Sequence, residues 1–121
     1  MITVYVKHYL NQAGREYFQT KWFPYVKDLI TKQDGFIDIS TKPDDIDKTC
    51  INITVKFSSL DTLNIWVDND LHQEIINDLD PYRVSGQRWF IDQGDSEAPE
   101  DIEKWEQAPL PDKQETKKLS L

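Results

Sequence analysis

The chain has 121 residues, with 14 Lys and Arg against 22 Asp and Glu, a formal charge of −8. This is the length of one domain with a tail, enough to bury a core without metals or disulfides, and its acidity excludes a broad nucleic-acid or anionic-membrane surface, which needs clustered Lys and Arg. Cys50 is the only cysteine and His8 and His72 are the only histidines, which excludes an intrachain disulfide and a cysteine-based zinc cluster.

Residues 2–10 alternate. Ile2, Val4, Val6, His8 and Leu10 share one face, and Thr3, Tyr5, Lys7 and Tyr9 the other, as in a strand with one apolar side. An alternating start is not a basic region followed by an apolar stretch, so no secretory signal is read here. The apolar runs are far short of the roughly 20 residues that span a bilayer, and the expected location is the cytoplasm.

Over residues 12–32 the period changes. Phe18, Trp22, Val26 and Leu29 recur at helical spacing, Asn11 can cap the segment, and Pro24 inside it should kink the helix or split it. Asp34-Gly35 ends it, and Phe36 to Lys42 alternates again. After a turn at Pro43–Asp47, Ile51, Ile53, Val55 and Phe57 mark the clearest strand. Ser58 or Ser59 starts a short helix through Val67. Asp70 with Gln73 three residues on reads as a reciprocal cap for a further helix bearing Leu71, Ile75, Ile76 and Leu79. Pro81 stops that helix, and residues 82–91 form a last strand, interrupted at Gly86.

The order β-α-β-β-α-α-β predicts an α+β fold: a ferredoxin-like antiparallel sheet with helices on one face. The other sheet face, with Tyr5, Tyr9, Asn52, Thr54 and Lys56, suits solvent or a second sheet. Residues 1–91 form the domain. Residues 92–121 are an acidic extension with nine acids and four bases, a net −5, which leaves −3 for the first 91 residues. Such composition orders poorly by itself, but Ile102 and Trp105 could pack one helical turn, started at Pro99, on the body or a partner.

Other motifs point away from specific chemistry. Asp44-Asp45-Ile46-Asp47 lacks the glycine and spacing of a calcium loop. None of the four glycines builds a phosphate loop. Cys50 lies mid-strand beside no activating group.

As a set, the alternating first strand, the turn Asp34-Gly35-Phe36-Ile37, the strand Ile51–Phe57 running into Ser58-Ser59-Leu60, and Trp66 six residues before His72 in IWVDNDLHQEI resemble the antibiotic-biosynthesis-monooxygenase-like domains of the dimeric α+β barrel superfamily. The resemblance covers residues 1–91. It implies a homodimer whose two sheets close into a barrel, with a pocket in each subunit between sheet and helices. It also implies a small cofactor-independent monooxygenase that oxidises a small hydrophobic or aromatic molecule, phenol- or quinol-like, with O2 and no metal. A non-catalytic small-molecule-binding dimer and a haem-binding or haem-degrading relative are the alternatives.

The resemblance implies His72 as the base that removes a phenolic proton, with His8 assisting or replacing it, because a phenolate reacts with O2 far more readily than a phenol. Trp66 would stack on the substrate ring. Thr62 stands where the phenol oxygenases carry an asparagine four residues before the tryptophan, and His8 stands about where the haem degraders carry one. Arg88 could stabilise an anionic intermediate. Each also has a structural reading: a core or interface tryptophan, a surface histidine, a semi-buried strand histidine, an arginine paired with a carboxylate.

Overall fold

The computed structural model describes residues 1–94 and 98–110. Part of the acidic extension, expected to order poorly by itself, falls on residues 95–97 and 111–121, outside them. Alternation over Ile2–Leu10 makes β1 the centre of a sheet, because both of its edges find partners. It pairs antiparallel with β3 (Cys50–Phe57) and with β4 (Arg83–Asp92). With β2 (Phe36–Pro43) on the far side of β3, and a short β5 (Glu106–Gln107) beyond β4, the order is β2-β3-β1-β4-β5. The ferredoxin-like α+β sheet is as expected, with one strand more. In register, Val6 meets Ile53 on one side and Trp89 on the other, and Val4 meets Val55 and Ile91. These residues build the inner face.

Between Lys7–Arg88 and Tyr9–Ser85, β1 advances two residues and β4 three. The surplus residue makes a bulge around Gly86 and Gln87, the interruption expected at Gly86.

The first helical region splits, as Pro24 requires. Helix α1 (Gln12–Tyr17) is capped by Asn11, whose Oδ1 accepts from Gly14 N at 2.8 Å. A π-helical turn (Phe18–Trp22) follows, then α2 (Phe23–Ile30), with Pro24 in its first turn. Proline cannot donate to the carbonyl four residues back, and the widened turn absorbs that missing bond. Phe18, Trp22, Val26 and Ile30 all stay buried on one face.

Helix α3 (Leu60–Val67) is capped by Ser59. Helix α4 (Asp70–Asn77) corrects the expected reciprocal cap. Asn69 is the extended residue whose Oδ1 accepts from Leu71 N at 2.9 Å, and Gln73 bonds Asn77 instead. Asp70 is already helical, where its charge suits the amino end of the helix dipole.

The expected helical turn of the extension is a 3-10 turn (Ile102–Lys104) leading into β5. The open edge of β4 offers unpaired backbone groups, and the extension takes them: Ala108 N donates to Gln87 O at 3.0 Å. Trp105 lands on the outer sheet face, with ring centroids 6.3 Å from Tyr5 and 6.2 Å from Phe90, and Lys7 Nζ lies 5.4 Å from its ring. Gly86 permits this. A Cβ there would collide with the carbonyl oxygen of Ala108. No described helix is long and apolar enough to cross a membrane.

Candidate active site

A cavity of about 290 Å³ lies between the inner sheet face and the helices. Apolar side chains dominate its walls: Val4, Val6 and Val55 from the sheet, and Trp22, Leu63 and Ile75 from the helices. A dry apolar cavity of about 150 Å³ accepts benzene, so this one has room for a one- or two-ring ligand.

His8, Trp66 and His72 reach this cavity from three elements. Period-2 geometry points His8 inward from β1 beside Val6. Trp66 ends the buried stripe of α3 and is 4% exposed. His72, in the first turn of α4, stands edge-on to it, with ring centroids 5.4 Å apart and planes at 79°. The break between α3 and α4 brings them together across six positions of sequence. His72 is half-buried, and desolvation lowers its pKa from the ordinary 6.5. Its imidazole is therefore neutral at pH 7 and able to accept a proton.

His8 differs. It is 1% exposed, and its Nδ1 lies 3.0 Å from Arg83 Nη1. A guanidinium only donates, so Nδ1 must be the accepting nitrogen, and the proton of the neutral ring sits on Nε2. Burial, then the Arg83 charge, then His72 push its pKa down to about 3. The acceptor lone pair of His8, expected to serve as a base, is thus occupied by Arg83, and a second proton would place a cation against that guanidinium. Arg83 is itself held by Asp80 Oδ1 at 2.9 Å and by the Ile76 carbonyl at 3.1 Å.

Thr62 and Arg88, expected to contact substrate, are not brought to the cavity. The Thr62 hydroxyl donates to Ser59 O at 3.0 Å, and its side chain fills the space that a Cβ on Gly35 would occupy. A threonine near a helix start satisfies itself locally in this way. Arg88 lies opposite Lys7 on the outer face and donates to the Ile102 carbonyl at 2.8 Å, tying down the extension.

Sequence reasoning missed Trp22, Gln87, Trp89 and Arg83. Trp22 Nε1 donates to Ile75 O at 2.7 Å, joining the first helical region to α4 over the cavity. Its place on the apolar helical stripe was the available signal. Arg83 carries none, because its partner His8 is 75 positions away.

Among the described residues no group of three or more His, Cys, Asp or Glu side chains is arranged for a metal ion. Asp44 serves as a turn carboxylate, accepting from Asp47 N at 2.9 Å, Ile46 N at 3.1 Å and Lys7 Nζ at 3.2 Å. Cys50 is buried away from this cavity, and desolvation pushes its thiol up to about 12. It is inert packing.

No protein-family model and no curated protein matches the sequence. Solved structures do match in fold. A candidate antibiotic biosynthesis monooxygenase from Deinococcus radiodurans superposes with a TM-score of 0.70 at 10% identity, over 82% of this chain and 97% of that one. SnoaB, a cofactor-independent oxygenase from Streptomyces nogalater, gives 0.66 at 11% identity over 82% and 97%. A conserved protein from Methanosarcina mazei gives 0.68 at 15% identity over 75% and 89%. The chain therefore has the fold of the antibiotic-biosynthesis-monooxygenase-like proteins.

Proposed function

We propose that this protein is a small monooxygenase that oxidises a phenol- or quinol-like aromatic molecule with O2. The observation that carries the reading is the convergence of Trp66 and His72, edge to face at 5.4 Å, on an apolar cavity of about 290 Å³. Trp66 supplies a flat wall for the ring. Neutral His72 takes the phenolic proton, which raises electron density on the ring and makes its reaction with O2 feasible. One oxygen atom enters the ring, the other leaves as water, and the substrate supplies all four electrons, so the cycle invokes no bound cofactor. Apolar walls suit this chemistry because they keep water from a reactive intermediate.

The functional unit in this reading is a homodimer. A second copy covers the outer sheet face around Thr54 and Lys56, with Trp105 of the extension lying on the same face beside Tyr5 and Phe90.

Oxygen uptake with a panel of hydroquinones and naphthols tests the activity. Turnover by the wild-type protein, falling by about 10²-fold or more in His72→Ala, is the expected result. Equal rates would remove His72 from the mechanism. No uptake with any member, beside saturable binding of the same compounds, would favour a second reading, a non-catalytic binding dimer. The absence of Thr62 and Arg88 from the cavity is the observation on that side.

A further inference from the structure

We infer that His8 is a fixed hydrogen-bond donor to the ligand, set in that role by an Asp80–Arg83 relay, and that the cavity selects aromatic molecules carrying a neutral acceptor oxygen. The inference rests on reading this cavity as the ligand site, and not on turnover.

The chain of contacts has one direction. Asp80 Oδ1 accepts from Arg83 Nε at 2.9 Å, and the Ile76 carbonyl accepts from Arg83 Nη2 at 3.1 Å. These two anchors fix the plane of a guanidinium whose side chain is 3% exposed. Its remaining Nη1 points at His8 Nδ1, 3.0 Å away. Because a guanidinium cannot accept, the imidazole must, and the ring proton is confined to Nε2. Ring packing holds the imidazole in place as well. Trp22 stands edge-on to it, with centroids 5.7 Å apart at 75°.

Nε2 then has one task left. It has no hydrogen-bond partner among the described residues, and no fully buried side-chain nitrogen or oxygen among them lacks one. So Nε2–H is open to the cavity that His8 lines. An N–H in an apolar cavity rewards an acceptor and penalises a hydrocarbon that leaves it unpaired. The arrangement favours a neutral acceptor over a carboxylate, because the Arg83 charge is already paired with Asp80 and His8 stays uncharged. A ketone, quinone or phenol oxygen meets this requirement. A phenol can also donate its own proton to His72, which lines the same cavity. His8 would thus hold the oxygen whose proton His72 takes. Arg83 and Asp80 are positioning residues that touch no ligand.

The test uses 1-tetralone, an inert bicyclic ketone, against tetralin, its hydrocarbon counterpart, with binding read by calorimetry on the full-length protein. Tetralone should bind about tenfold more tightly than tetralin, the worth of one net hydrogen bond. His8→Phe should abolish the preference, tetralone and tetralin then binding alike. Long-range ¹⁵N–¹H spectra should show His8 protonated on Nε2 alone at neutral pH, and Asp80→Asn or Arg83→Met should produce a mixture of tautomers. Equal affinity for the two ligands, failure of tetralone to bind, or a proton on Nδ1 in the wild-type spectrum would overturn the inference. Lack of oxygen uptake beside an intact tetralone preference would sink the oxygenase reading and leave the donor standing.

Discussion

The indole nitrogen of Trp22 donates to the backbone carbonyl of Ile75 at 2.7 Å, and both residues line the cavity. This bond joins the π-helical turn of the first helical region to α4, 53 positions later. It holds together two walls that otherwise meet only through apolar contact. Trp22→Phe should leave the buried Ile75 carbonyl unsatisfied at a cost of about 1–3 kcal/mol, lowering the urea midpoint without changing the m-value. An unchanged midpoint would show that the carbonyl finds water instead.

His8 should make stability depend on pH. Its pKa lies at about 3 in the folded protein against 6.5 for an unperturbed imidazole. Between those values the unfolded chain binds the extra proton, so stability is full above pH 6.5 and is lost as pH falls toward 3. The loss by pH 5 should be on the order of 2 kcal/mol. His72, whose pKa is lowered by desolvation, acts with the same sign. Asp44 adds a later loss below about pH 4, because the amide of Asp47 above all stabilises its carboxylate. Urea titrations at a series of pH values check this, and in His8→Gln the slope between pH 6.5 and 4 should become shallower, with the part due to His72 remaining.

Trp66 should separate packing from recognition. It is buried and meets His72 edge-on. Trp66→Ala should cost about 3–5 kcal/mol of stability, which would hide any binding effect. Trp66→Phe keeps an aromatic face with less area. It should keep the fold and weaken 1-naphthol binding several-fold, measured by calorimetry. An unchanged affinity would assign Trp66 to the core alone.

The sheet was legible because its signal is local. Alternation in β1 and β3 names the inward residues directly, and His8 among Val4 and Val6 could be oriented from that alone. The capping of α1 by Asn11 and the break near Pro24 followed from backbone chemistry. The site was legible only in part, because periodicity assigns a face and not a distance. Thr62 could not be placed, since a hydroxyl near a helix start has equally good local partners. The face of Arg88 was ambiguous because β4 carries Trp89 on one side and Phe90 on the other, with a bulge around Gly86 and Gln87 just before them. The His8–Arg83 bond, which decides the role of His8, left no trace in either local pattern.

Gly86 offers the sharpest test of the extension. A Cβ at this position would strike the Ala108 carbonyl, so Gly86→Val should expel β5 and draw Trp105 away from Tyr5 and Phe90. The loss should be about 1–3 kcal/mol, the worth of a few backbone hydrogen bonds with a little buried aromatic area. Trypsin should then cut faster after Lys104, whose backbone the docked 3-10 turn otherwise holds folded. A strand substitution can also destabilise β4 directly, and a truncation after Asp92 separates the two effects. If the collision is with the extension, Gly86→Val costs far less in the truncated chain than in the whole one. Equal cost in both chains would mean that Gly86 serves the bulge of β4 and that the extension docks without its help.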